Sequence, residues 1–338
     1  TVAILNVCLV GKTFGLRVST FCSNPAIFIS LNMSKLLFED TPSVPNETLI
    51  SFLKYLSTGA IPEANFMLLQ GLCETLTSCF LMISLYKLLK QEYRASLIWY
   101  GVAFAIKLQS IIFLPIYLIL YITEGFHSYD RVVKDSGKKN AFSILEFLWI
   151  PAVYFIAGLP EVICQNGIKR TYLSYLYQTK ELDSEGYGMV SFFPNLYNLG
   201  FDNFDKLLSG AAIMVLFVVL VIIAFFCYRH KDNIDRKLVV YLAIFTAWTC
   251  VVLLPGMHER YDYAMLILLT PFAVLLRKNI VWPMFIANVC SLATYAYALF
   301  GARDIINMTV VSLFYVGAYL YTLIDVVKLL NDETHQIG

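Results

Sequence analysis

Eight apolar runs, parted by short polar breaks, constrain this chain more than any other feature. They cover residues 66–89, 95–122, 141–159, 210–228, 238–254, 261–276, 280–300 and 308–329. Several approach or exceed the ~20 apolar residues needed to cross a bilayer. Charged residues make up only 14% of the 338 positions, against roughly 25% in soluble domains. The pattern predicts an all-α, polytopic transmembrane protein with roughly 9–11 membrane helices. Residues 1–60 are less regular, because Lys12 and Arg17 break one apolar piece and a polar stretch with two prolines follows. One or two crossings are expected there. The sequence opens at Thr1, without Met and in mid-apolar sequence, so a truncated N-terminal membrane region 1–60 is expected ahead of a membrane domain 61–338.

The net charge of +1 and the lack of a basic tail give no sign of a nucleic-acid partner. Cys73, Cys79, Cys227, Cys250 and Cys290 lie inside apolar runs without a CxxC or zinc spacing, and read as small buried hydrophobes.

Topology follows from basic residues, which favour the cytoplasmic side of short loops. The segment 229–237 carries four of them and should lie inside. Counting forward puts 257–260 outside, 277–279 inside, 301–307 outside and the tail inside. Counting back puts the long loop 160–209, with six carboxylates and four basic residues, outside. The segment 123–140, with Arg131, Lys134, Lys138 and Lys139, is then inside, and so is 87–94, with Lys87, Lys90 and Arg94. Both ends of 95–122 thus want the same side. A hairpin of two short helices, bent near Lys107–Leu108–Gln109–Ser110, resolves the conflict. Each arm is only ~12–14 residues, short for a span at 1.5 Å per residue. Glu74, Lys107, Gln109, the long loop and His258–Asp262 then share the outer side.

Chemistry concentrates in Leu254-Pro-Gly-Met-His-Glu-Arg-Tyr-Asp-Tyr263, at the lip of a span. Ionisable clusters near lipid are functional candidates by default. Arg260 offers a planar fork suited to phosphate, and the first turn of the next helix adds positive potential. The plainer reading is an interfacial turn whose tyrosines join an aromatic belt. Lys107, in apolar surroundings, needs an anion: either a ligand or an ion pair with Glu74. The long loop sets Tyr175 and Gln178 beside Phe193-Pro-Asn195-Leu-Tyr197-Asn198. Aromatic faces with amides suit a sugar wall, and they suit equally a loop lying on headgroups. Asp183 and Glu185 read as solvated, or as holders of a divalent metal; no other cofactor is indicated. A phosphate clamp, sugar-friendly walls and a lipid-embedded scaffold together point to a lipid-phosphate-linked sugar donor. It would react by displacement at the anomeric carbon.

The segments Ala105-Ile-Lys107-Leu-Gln109, Phe193-Pro-Asn-Leu-Tyr-Asn198 and Leu254-Pro-Gly-Met-His-Glu-Arg-Tyr261 resemble, in this order, a family of bacterial integral-membrane glycosyltransferases of the GT-C fold. They are distantly similar to the GPI mannosyltransferase II group. The resemblance spans about residues 60–300. It implies transfer of a mannose-like hexose from a polyprenyl-phosphate donor to an envelope glycan or glycolipid acceptor, on the extracytoplasmic side of the plasma membrane. By position, Lys107, His258 and Arg260 would bind the donor phosphate. Gln109, Tyr175, Gln178, Asn195, Tyr197, Asn198 and Tyr261 would line the sugar and acceptor site. Glu74 and Glu259 are the catalytic carboxylates this reading leaves. The family's Gly-Gln-x-Asp step reads Gly71-Leu72-Cys73-Glu74 here, and residues 1–38 hold no acidic residue where GT-C enzymes carry one in a first outer loop. Two other readings stand beside the transferase: a transporter or flippase of lipid-linked saccharide, and a non-catalytic membrane remnant.

Overall fold

The computed structural model describes residues 63–126, 142–163, 167–175, 192–201, 205–299 and 302–331. The region 1–60, Gln178, Asp183 and Glu185 lie outside them. Among the described residues the protein is all-α. Its helices are α1 (Glu63–Leu89), α2 (Tyr93–Ile106), α3 (Leu114–Ile122), α4 (Trp149–Ile163), α5 (Ile168–Tyr172), α6 (Asp205–Arg229), α7 (Arg236–Leu253), α8 (Tyr263–Leu275), α9 (Val281–Leu299) and α10 (Met308–Asn331). Among the described residues five segments are long and apolar enough to cross a membrane: Ile144–Ile163, Gly210–Arg229, Arg236–Leu253, Lys278–Ala298 and Met308–Asn331. The protein is a polytopic α-helical membrane protein.

Two compact units divide the chain. One takes residues up to Ser84, Arg94–Ser110 and Glu146–Glu181, the other Leu85–Tyr93, Ile111–Leu145 and Leu182–Gly338. In the first, α1 and α2 meet through reciprocal hydroxyl bonds. Ser84 donates to the Ser96 carbonyl at 2.6 Å, and Ser96 returns a bond to the Ser84 carbonyl at 2.7 Å. Phe80 stacks on Trp99 beside them. Gly101 meets α4 closely, a Cβ there reaching within 3.0 Å of Val153.

The second unit is organised around α7. Asp235 caps its start, accepting from the Leu238 amide at 2.7 Å. α7 is apolar all round and 83% buried, whereas α6, still more apolar, is 22% buried. An all-apolar helix is either a core helix or a lipid-facing one, and these two are one of each. Tyr241, Phe245 and Trp248, spaced i, i+4, i+7, share one face of α7. Tyr319 stacks on Phe245 at 5.6 Å, and Trp248 meets both Tyr315 and Tyr319 edge-on. Thr246 and Thr249 donate back to the carbonyls four residues earlier, so hydroxyls inside the bundle stay satisfied.

The break expected at 107–110 is present. α2 stops at Ile106, and a 3-10 turn, Leu108–Phe113, leads into α3. The Ser110 amide and hydroxyl both bond the Lys107 carbonyl, closing the bend. The two ends of the run also meet, as the hairpin requires. Gln91 donates to the Phe126 carbonyl at 3.3 Å, and Tyr93 stacks on Phe142, which meets Tyr121 edge-on. Further polar contacts link helix ends within this unit. Lys231 approaches Glu124 at 3.8 Å, Asn233 donates to the Leu330 carbonyl, and Arg277 forks onto Asp325.

The long loop is shorter than its expected bounds of 160–209. α4 runs one turn past Pro160 to Ile163, and α6 begins at Asp205. Helix ends that rise out of lipid carry polar residues, so an apolar run marks the membrane part of a helix and not its full length. Within the loop, α5 packs close to α4: a Cβ on Gly158 would lie 2.5 Å from the Tyr172 ring.

Candidate functional site

The first unit holds Glu74, Lys107, Gln109 and Tyr175. Glu74 projects from α1 and is buried. Lys107 sits at the bend, and its ammonium pairs with the Glu74 carboxylate. This is the ion-pair alternative of the sequence reading. Two charges removed from water satisfy each other, and losing either would strand its partner. Tyr175 donates to the carbonyls of Phe104, at 2.8 Å, and Ala105, at 3.3 Å. Those carbonyls belong to the last turn of α2, where helical partners run out. Burial raises the Tyr175 hydroxyl well above the ordinary phenol range, so it stays a donor. Its ring stacks on Tyr154 and meets Phe104 edge-on. Gln109 lies half-buried on the 3-10 turn.

In the second unit the chain leaves α7 at Leu254 and turns through Gly256, whose φ of +66° disfavours any side chain. Glu259 follows, 3% exposed. One carboxylate oxygen accepts from Arg260 Nη1 at 2.6 Å, and the other lies 3.8 Å from His258 Nδ1. The His258 and Arg260 side chains keep 13% and 20% of their surface open. A buried carboxylate thus holds two partly exposed nitrogen-bearing groups at the start of α8. Tyr261 meets the His258 ring at 5.4 Å.

The Pro-Asn segment closes onto the same turn. Asn195 is fully buried and caps the 3-10 turn Leu196–Leu199, accepting from the Tyr197 amide at 3.0 Å. Its amide donates to the Leu254 carbonyl at 3.4 Å. The Tyr197 hydroxyl donates to the Leu253 carbonyl at 2.6 Å. Both therefore cover orphan carbonyls at the end of α7. Asn198 donates to the Phe193 carbonyl at 2.5 Å and to Asn195 Oδ1 at 3.4 Å. These polar groups, expected on a sugar wall, hold the loop to the helix. The Phe192 ring reaches His258, with centroids 6.1 Å apart.

Asp262 belongs to the ionisable cluster of the sequence reading without a role of its own and Tyr315 does not feature there, yet the structure makes both central. Asp262 is fully buried. It accepts from Ser291 on α9 at 3.1 Å and from Tyr315 on α10 at 3.2 Å. Tyr315 meets the ring of Phe193 edge-on at 5.2 Å and that of Trp248 at 5.7 Å. One carboxylate thus ties the start of α8 to two later helices, and one tyrosine ties that junction to the Pro-Asn loop. An aspartate at the edge of an apolar run was the available signal, since such a group needs partners.

The sequence-derived residues therefore fall into two sets. Glu74 and Lys107 are brought together in one unit, with Tyr175 on the last turn of α2. Asn195, Tyr197 and Asn198 are brought together with His258, Glu259, Arg260 and Tyr261 in the other. Among the described residues no group of three or more His, Cys, Asp or Glu side chains has the geometry to hold a metal. No family model matches the chain, and neither does a curated protein or a solved structure.

Proposed function

We propose that the protein is a glycosyltransferase. It moves a mannose-like hexose from a polyprenyl-phosphate donor to an envelope glycan or glycolipid acceptor, at the extracytoplasmic face of the plasma membrane. The observation that carries this reading is the turn His258–Glu259–Arg260. Glu259 fixes Arg260 through one nitrogen while the guanidinium and imidazole keep open surface. A guanidinium is a planar cation whose geometry matches phosphate, and part of this one stays exposed.

Displacement at the anomeric carbon breaks the bond to the phosphate oxygen and forms one to the acceptor hydroxyl. Negative charge develops on the departing polyprenyl phosphate, where Arg260 and His258 would stabilise it. A carboxylate must take the acceptor's proton. Glu74 is paired with Lys107 and Glu259 with Arg260. Glu259 thus suits the role of orienting Arg260. In the second unit the Arg277–Asp325 pair at the opposite end is closed on itself. That supports chemistry at one face over a carrier that must open to both.

The test is sugar transfer from radiolabelled polyprenyl-phosphate hexoses by the protein in lipid. Arg260→Ala should lower transfer at least ~100-fold, the scale of removing one donor to a developing oxyanion, with folding unchanged. Normal turnover by that variant would sink the assignment. So would no transfer by the unaltered protein across several hexoses and acceptors.

A further inference from the structure

Beside the His258 turn, Phe192 carries a second cation that the transferase reading does not use. Arg303 sits on a short 3-10 turn, Ala302–Asp304, between α9 and α10. Its guanidinium lies 5.6 Å from the centroid of the Phe192 ring and 5.9 Å from that of Tyr297, in the last turns of α9. The same Phe192 ring borders His258. Arg303 is exposed, and among the described residues no carboxylate lies within ion-pair distance of it.

Stacking on an aromatic face engages the plane of a guanidinium and leaves its edge donors pointing outward. Two rings hold the group in place at little loss of side-chain freedom on binding. Arg260, in contrast, is already partly neutralised by Glu259. A phosphate beside the Phe192 ring would thus meet a guanidinium held by two aromatic rings. That guanidinium brings a positive charge that no carboxylate among the described residues pairs with.

We propose that Arg303 is a phosphate-binding residue beside the His258 turn, and that its ligand is the phosphate of a lipid-linked carrier. This rests on the transferase reading for the identity of the carrier, though not for the geometry. Phosphate could also come from bulk headgroups or from free anions, and the test separates these sources.

The full chain is placed in nanodiscs of neutral phosphatidylcholine. Binding of radiolabelled polyprenyl phosphate is compared with that of the uncharged polyprenol, for the unaltered protein, Arg303→Gln and Arg303→Lys. The expected result is preference for the phosphate and roughly tenfold weaker binding by Arg303→Gln, the size of one charge-assisted hydrogen bond. Arg303→Lys should recover part of the loss, polyprenol binding should not change, and inorganic phosphate should compete weakly. Unchanged phosphate binding by Arg303→Gln would overturn the inference. So would an effect seen only as weaker attachment to discs containing phosphatidylglycerol, which marks a headgroup anchor, and so would full competition by inorganic phosphate. If the unaltered protein does not distinguish polyprenyl phosphate from polyprenol, the transferase reading itself fails.

Discussion

Arg277 and Asp325 stand 48 positions apart in sequence and close into a two-bond fork at one end of the second unit. Glu259 and Arg260 are sequence neighbours at the other end and share one short bond. Tyr241 adds its hydroxyl to Asp325 at 2.9 Å, completing the fork. Around Glu259, the two nitrogen-bearing groups keep open surface. A charge pair that joins distant helices and saturates itself holds the fold together. The pair within the turn joins no distant helices, and its cation keeps part of its surface open. Burial alone does not separate them, since Glu259 and Asp325 are both largely hidden.

Breaking the first kind should have the largest effect on stability. Asp325→Ala strands Arg277 and should lower stability by about 3–5 kcal/mol. Thermal unfolding in detergent reads this loss. The double replacement Arg277→Met with Asp325→Leu should recover most of it, because two apolar side chains leave no stranded charge. Lys107→Ala should behave like Asp325→Ala in the first unit, since it strands buried Glu74. If instead it left stability untouched and abolished transfer, Lys107 would belong with Arg260.

The Asp262 junction lies between the two kinds. Tyr315→Phe keeps the ring contacts and removes one bond to a fully buried carboxylate. It should cost about 1–3 kcal/mol, and it should also disturb the Arg260 turn enough to weaken donor binding. A stability loss without any change in donor binding would confine Asp262 to the scaffold.

The smallest effects belong at the surface and caps. Asp235→Ala removes the cap of α7 and should cost about 1 kcal/mol. Lys231→Ala breaks a 3.8 Å pair with exposed Glu124, and a melting temperature unchanged within error is expected. A large drop there would mean that this exposed pair carries more of the fold than its geometry implies.

Much of this architecture could be read in the chain because lipid imposes one rule on every span. The runs at 210–228, 238–254, 280–300 and 308–329 return as α6, α7, α9 and α10, differing mainly at their ends. The hairpin over 95–122 was legible from charge alone, since Lys87–Arg94 and Arg131–Lys139 demanded one side. The contact of Gln91 with Phe126 brings the two ends of that run together. The candidate site was legible only where it is local. His258, Glu259 and Arg260 are contiguous, so their association needs no tertiary knowledge. The partners of Asp262 are 29 and 53 positions away, and no spacing announces them. Nor could the sequence show that Asn195 and Tyr197 turn their polar groups onto α7. The carbonyls they cover exist only once that helix ends at Leu253.

The most direct test of the contrast between the two ends is a paired measurement on Arg260→Ala and Arg277→Ala, taking the melting temperature in lipid and transfer from polyprenyl-phosphate hexose on the same preparations. A crossed result is expected: Arg260→Ala melts with the unaltered protein and does not transfer, while Arg277→Ala melts several degrees lower and still transfers in proportion to its folded fraction. A stable, inactive Arg277→Ala beside an unstable, active Arg260→Ala would contradict it.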